Sequence, residues 1–141
     1  MVDDAALRLG NALRVRAQRL RSRLDADALA ISRVVGDVLI VVAFDVTEGV
    51  TLQFGQGFLV SDYPVTKRVL ETGEPAGLTL ADADADEAEA RVLHELGFAA
   101  LAMLPCDVGG ERWGLVEAYR VDARPFDAAL LGGAGALARL D

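Results

Sequence analysis

The chain has 141 residues, 52% of them hydrophobic and 26% charged, which suits one domain with a buried core and excludes a disordered chain. Its formal net charge of −8 is unevenly spread: residues 1–24 carry six Arg against two Asp, and the remainder eight Lys or Arg against twenty Asp or Glu. An acidic body repels phosphate backbones, so nucleic acid is not an expected partner, and no apolar run reaches the length of a membrane span. Asp3 and Asp4 stand where a secretion signal would carry Lys or Arg. The single cysteine, Cys106, excludes an internal disulfide framework and suits a reducing compartment. A soluble cytoplasmic protein of one domain is expected, with residues 1–24 as a leading helix and 25–141 as the body.

The pattern predicts a helix over 3–24. Asp3 and Asp4 favour the positive end of its dipole, and Ala6, Leu9, Leu13, Ala17, Leu20 and Leu24 form a stripe on one side. That stripe either packs on the domain's own sheet or pairs with a second copy of the helix. Two strands follow, 28–35 and 38–45, joined by Gly36-Asp37 as a hairpin. The second reads VLIVVAF, apolar on both faces, which predicts a central or nearly central strand. A short strand is expected over 50–54, in a loop-rich stretch. Pro64 opens a helix that Gly73 closes at Thr72, and a strand follows over 76–80. Asp82, Asp84 or Asp86 can each cap a further helix that runs to Leu96 and stops at Gly97. Phe98–Val108 and Arg112–Val121 form a hairpin through Gly109-Gly110. Pro105 inside the first of these strands marks a local edge or a bulge. A final helix is predicted over 127–140, capped by Asp127, with three glycines that cost about 1 kcal/mol each relative to Ala.

Antiparallel hairpins with helices at both ends predict an α+β fold. The segments YPVTKRVLETGEP (63–75), GFAALAMLPCDVGGERWGLVEAYR (97–120) and RPFDAALL (124–131) together resemble a GAF domain, the sensor module of bacterial signalling proteins, over residues 5–140. The resemblance implies a GAF/profilin-like architecture. A central antiparallel sheet of five to six strands would carry the terminal helices on one face and a ligand pocket on the other. It also implies a homodimer formed through the terminal helices, and an output domain or partner protein that receives the signal. The pocket it implies uses Phe58, Tyr63, Thr66, the helix ending at Leu96 and one face of the last hairpin.

The residues able to carry chemistry are few. His94 is the only histidine, and some haem-based GAF sensors place an axial histidine in a similar setting. No metal is expected unless haem is bound there, and no other cofactor is expected. Cys106 is the one candidate for a thiol-based redox activity, but a redox cycle on this scaffold uses several cysteines, and the histidine pair of bilin-carrying domains is absent. The Asn-Lys signature of cyclic-nucleotide GAF domains is missing, since the only Asn is Asn11. GQG at 55–57 lacks the lysine of a phosphate loop, and the acidic run 82–89 lacks calcium-loop spacing. Glu117 is the oddest residue. Strand alternation puts it on one face with Trp113, Leu115 and Tyr119, where a carboxylate needs a partner: Arg120, Arg112 or a polar ligand. The reading is a non-enzymatic sensory module that binds a small molecule or dimerises. The rivals are a thiol redox enzyme or haem sensor on the same fold, and a pocketless roadblock-like interaction protein.

Overall fold

The structure is a computed structural model that describes residues 4–53, 57–135 and 138–139. Asp3, Phe54, Gly55 and the last residues expected in the final helix lie outside the described residues. The elements in chain order are α1 (Asp4–Arg23), β1 (Ala28–Val35), β2 (Val38–Val46), β3 (Phe58–Leu59), a single 3-10 turn, α2 (Pro64–Thr72), β4 (Ala76–Thr79), α3 (Glu87–Leu96), β5 (Ala100–Val108), β6 (Glu111–Arg120) and α4 (Ala128–Ala134). The six strands form one antiparallel sheet in the order β3-β2-β1-β6-β5-β4. The hairpin carrying the tryptophan therefore sits amid the sheet, with β6 between β1 and β5.

Each face of the sheet has its own core. On one face, Ala17, Leu20 and Leu24 of α1 and Leu131 and Ala134 of α4 pack against Leu29, Ile31, Leu104, Cys106 and Val116. On the other, Val69 of α2 and Leu93 of α3 pack against Ala28, Ala30, Leu101, Met103, Leu115 and Tyr119. The α1 stripe thus meets the domain's own sheet through its last three members, while Leu9 stays 59% exposed.

α1 closes in a Schellman motif. Asp25 N–H donates to the Ser22 carbonyl and Ala26 N–H to that of Arg21, with Asp25 in the left-handed region at φ 50. The carbonyls of Leu24 and Asp25 are then taken by Arg120, at 3.0 Å each. The same guanidinium donates to the Arg124 and Pro125 carbonyls at 3.1 and 2.8 Å and lies 4.0 Å from the Phe126 ring centroid. One buried side chain at the end of β6 holds the end of α1 and the approach to α4 together.

Several expectations require correction. β2 is second from the edge, paired on its outer side only at Val38 and Leu39, and it is not covered on both faces: Ile40, Val42 and Phe44 keep 48, 41 and 48% of their surface exposed. Residues 50–53 form no strand; the pairing partner of β2 is Phe58–Leu59 instead. α4 ends at Ala134, short of the expected 140. The expectation for Pro105 holds: it lies past the end of β4, which pairs only with Ala100–Met103, at a locally open edge. A bulge also follows, between Cys106 and Asp107, and leaves Trp113 without a partner on β5.

The glycine after that bulge is a close-approach position. A Cβ on Gly114 would stand 1.9 Å from the Ser32 carbonyl oxygen of β1. Gly132 in α4 has nothing within 4 Å of such a Cβ. Gly114→Ala is therefore expected to destabilise by at least the ~1–3 kcal/mol of an overpacked core. Gly132→Ala is expected to stabilise by roughly 0.5–1 kcal/mol. Urea unfolding of the two variants checks both signs.

Candidate functional site

The face opposite the terminal helices holds a shallow cleft, open to solvent and with about 20 Å³ of enclosed room, lined by Leu39, Phe58, Tyr63, Thr66, Glu89, Val92, Glu117 and Tyr119. It is built from the start of β2, β3, the residue before α2, the first turn of α2, the first two turns of α3 and the second half of β6. Five residues singled out from the sequence are brought together here: Phe58, Tyr63, Thr66, Glu117 and Tyr119. Phe58 and Tyr63 meet edge to face with ring centroids 5.8 Å apart, and Tyr119 lies against Phe98 at 5.0 Å.

Two expected members are elsewhere. His94 is exposed on α3 and does not line the cleft. Trp113 is on the terminal-helix face, packed against that core with Arg33 5.4 Å from its ring. Simple alternation put Trp113 with Glu117, but the β-bulge adds one residue and turns it over. Cys106 is fully buried in the same terminal-helix core, with the sheet between it and the cleft. Burial pushes its thiol up to about 12, which leaves it unreactive at neutral pH.

The cleft also contains a carboxylate that the sequence reading passed over. Glu89 is 5% exposed, and its Oε1 accepts the Thr66 N–H at 3.0 Å and the Thr66 hydroxyl at 2.6 Å. Thr66 is the third residue of α2, whose cap residue Tyr63 supplies no side-chain bond. Glu89 therefore caps α2 from another helix, satisfying an orphan N–H and facing the positive end of the dipole. Its own helix is capped by Asp86, which accepts the Glu89 N–H at 3.1 Å. The available signal was spacing: Glu89 lies four residues before buried Leu93, on the inward side of α3.

Glu117 is different. The Arg partners expected for it are engaged elsewhere, Arg120 with backbone carbonyls and Arg112 with Asp107 and the Leu70 carbonyl. Among the described residues its carboxylate receives only the Tyr119 hydroxyl, at 3.0 Å. Burial first, and then the charge of Glu89, raise its pKa to about 7. Burial likewise raises Glu89, against the pull of its Thr66 hydrogen bonds. Burial and the Glu117 charge raise the Tyr119 phenol well above its usual range.

The profile of the GAF domain family matches residues 8–140. No curated protein matches significantly. Among solved structures, the chain is similar to the blue-light-absorbing form of the PixJ GAF domain of Thermosynechococcus elongatus, at 19% identity and TM-score 0.79, covering 99% of this chain and 86% of that one. It is similar to the phycocyanobilin-bound GAF domain of a cyanobacterial phytochrome, at 19% identity and TM-score 0.77, covering 95% and 84%. It is also similar to the chromophore-binding domain of a bacteriophytochrome from R. palustris, at 15% identity and TM-score 0.75, covering 92% and 53%.

Glu117 links the site to stability. Its folded pKa of about 7 lies above the ordinary 4.5, so the folded state holds the proton more tightly. Stability from that proton is complete below about pH 4.5 and is lost as pH rises to about 7. Glu117→Gln is expected to remove this decline and to raise stability at pH 8 by at most about 3 kcal/mol. Thermal melts between pH 5 and pH 8, a span of ~3 units around the titration, read the effect directly.

Proposed function

The chain belongs to the GAF domain family, and on that premise we propose that it is a non-enzymatic sensory module whose small-molecule ligand occupies the cleft between α2, α3 and β6. The observation that carries this reading is the cleft itself. Aromatic walls from Phe58, Tyr63 and Tyr119 surround a carboxylate that no basic side chain neutralises among the described residues. An apolar pocket with a few convergent polar groups and a perturbed titration is the usual form of a ligand site.

The bilin of the phytochrome relative is not carried over. Cys106 is on the far side of the sheet, so it offers no thioether to the cleft. No described lining residue is basic, so a tetrapyrrole's acidic side chains would meet only Glu89 and Glu117. The enclosed room of about 20 Å³ is far below the ~300–1,000 Å³ typical of ligand pockets, so a group as large as a tetrapyrrole does not fit the cleft as it stands. An exposed His94 gives haem no axial ligand in the cleft. A redox role for Cys106 is disfavoured by its burial and raised pKa.

The route for a signal runs through β6. Tyr119 lines the cleft, and the next residue, Arg120, grips the end of α1 and the approach to α4 on the opposite face. A ligand acts only by favouring one arrangement of those helices over another. On this reading α1, which leaves Leu9 and Val15 exposed, supplies the surface for pairing with a second copy, and an output domain or partner would read the change.

Native mass spectrometry of freshly isolated protein tests both halves of the reading. The expected result is a homodimer carrying a retained small molecule, with Leu9→Glu plus Val15→Glu giving a monomer that still holds the ligand. A monomeric wild-type chain without dimer at any concentration would remove the pairing, and a ligand retained equally by Tyr119→Ala would remove the site.

A further inference from the structure

The charge pattern of the cleft selects among ligands, given the site reading above. We infer that the cleft takes a small organic cation rich in N–H donors, an ammonium, amidinium or guanidinium group on a compact apolar body, with Glu117 as its counter-charge and Phe58, Tyr63 and Tyr119 as its walls.

Three observations converge on that class. First, the two carboxylates of the lining are not equivalent. Glu89 Oε1 is already committed to the α2 N-terminus through Thr66 at 3.0 and 2.6 Å. Glu117 has one donor, the Tyr119 hydroxyl, and retains acceptor capacity on the cleft side. A carboxylate held this way accepts further N–H bonds, and charge-assisted ones are the strongest available to it.

Second, every other group facing Glu117 fails to neutralise it. From α3 comes Glu89, a like charge; from β6, Tyr119, a phenol that stays protonated; from the turn before α2, Tyr63, whose pKa is also raised by burial and by Glu89. The residues beside Glu117 on the neighbouring strands are Ala30 of β1 and Met103 of β5, both uncharged. An anionic ligand would add a third negative charge in a partly desolvated space, and a purely apolar one would strip water from Glu117 without replacing it. A cation does neither.

Third, the walls suit a cation. Three aromatic side chains, Phe58, Tyr63 and Tyr119, border the same space as the carboxylate. Aromatic faces attract cations, and the attraction strengthens when water is excluded.

The pH response follows from the geometry. Glu117 must lose its proton to serve as counter-charge, so a cation that keeps its own charge binds more tightly as pH rises toward about 7 and then reaches a plateau. Binding below that point releases a proton to the buffer.

A matched set of probes separates the possibilities: benzamidine and benzylamine as cations, benzyl alcohol as a neutral mimic, benzoate as an anion. Amide chemical-shift perturbation of the full chain at Thr66, Glu89 and Tyr119 reports binding in the cleft. Benzamidine and benzylamine are expected to bind about tenfold or more tightly than benzyl alcohol and benzoate. Their affinity should rise by up to about tenfold per pH unit below the Glu117 titration. Glu117→Gln should weaken the cations by about tenfold or more, flatten their pH dependence and leave benzyl alcohol unchanged. Tyr119→Phe, which keeps the carboxylate, should retain the preference for cations. Benzoate or benzyl alcohol binding as well as benzamidine would overturn the cation assignment and leave the cleft as the ligand site. If no probe of any charge perturbs these residues, both the assignment and the site reading fail.

Discussion

Arg120 is the constraint on which the arrangement of the terminal helices depends. Its guanidinium is 4% exposed and is met by four backbone carbonyls, from Leu24, Asp25, Arg124 and Pro125, and by the face of Phe126. A buried charge without these partners would be costly. Two of them are at the carboxyl end of α1, where the helix dipole presents partial negative charge. The Schellman closure at Asp25 leaves the Leu24 and Asp25 carbonyls exposed to the guanidinium, so a local backbone motif and a residue 95 positions later complete one another.

The cleft is organised by a similar asymmetry on the opposite face. Glu89 is structural, because it substitutes for the side-chain cap that Tyr63 does not provide to α2. That capping bond fixes α2 against α3 and so fixes the width of the cleft. Glu117 has no such duty. It accepts one hydrogen bond, from the Tyr119 hydroxyl at 3.0 Å, with a like charge nearby and burial raising its pKa to about 7. Two carboxylates in one small space therefore differ in their bonding: one is committed to the start of α2, and the other accepts a single hydrogen bond from Tyr119 among the described residues.

The elements with strong local signals were legible before the structure. Pro64 and Gly73 bracket α2, Asp86 was among the candidate caps of α3, and Gly109-Gly110 turns the last hairpin. The cleft was legible in part, because Phe58, Tyr63, Thr66, Glu117 and Tyr119 are on elements whose position the fold dictates. Trp113 was misplaced because alternation assumes unbroken pairing, and a bulge is a property of two strands together. Glu89 was passed over because an acidic run reads as a solvated helix face, whereas its partner is an N–H on another helix. β2 was misjudged because an apolar run is equally compatible with a covered strand and with one left half-exposed.

By itself, the sequence determined most of the order and type of the elements, the antiparallel hairpins and the α+β class, which rest on periodicity, caps and turns within short windows; the family was legible only as a resemblance carried by residues 63–75, 97–120 and 124–131. Tertiary structure alone decided which carboxylate caps a helix, which one faces the cleft, which face receives Trp113 and Cys106, and that Arg120 ties the two termini together. Those outcomes depend on groups 23 to 96 residues apart coming within hydrogen-bond distance. Such distances are set by the packing of the sheet and its two layers of helices, which no local pattern of residues encodes.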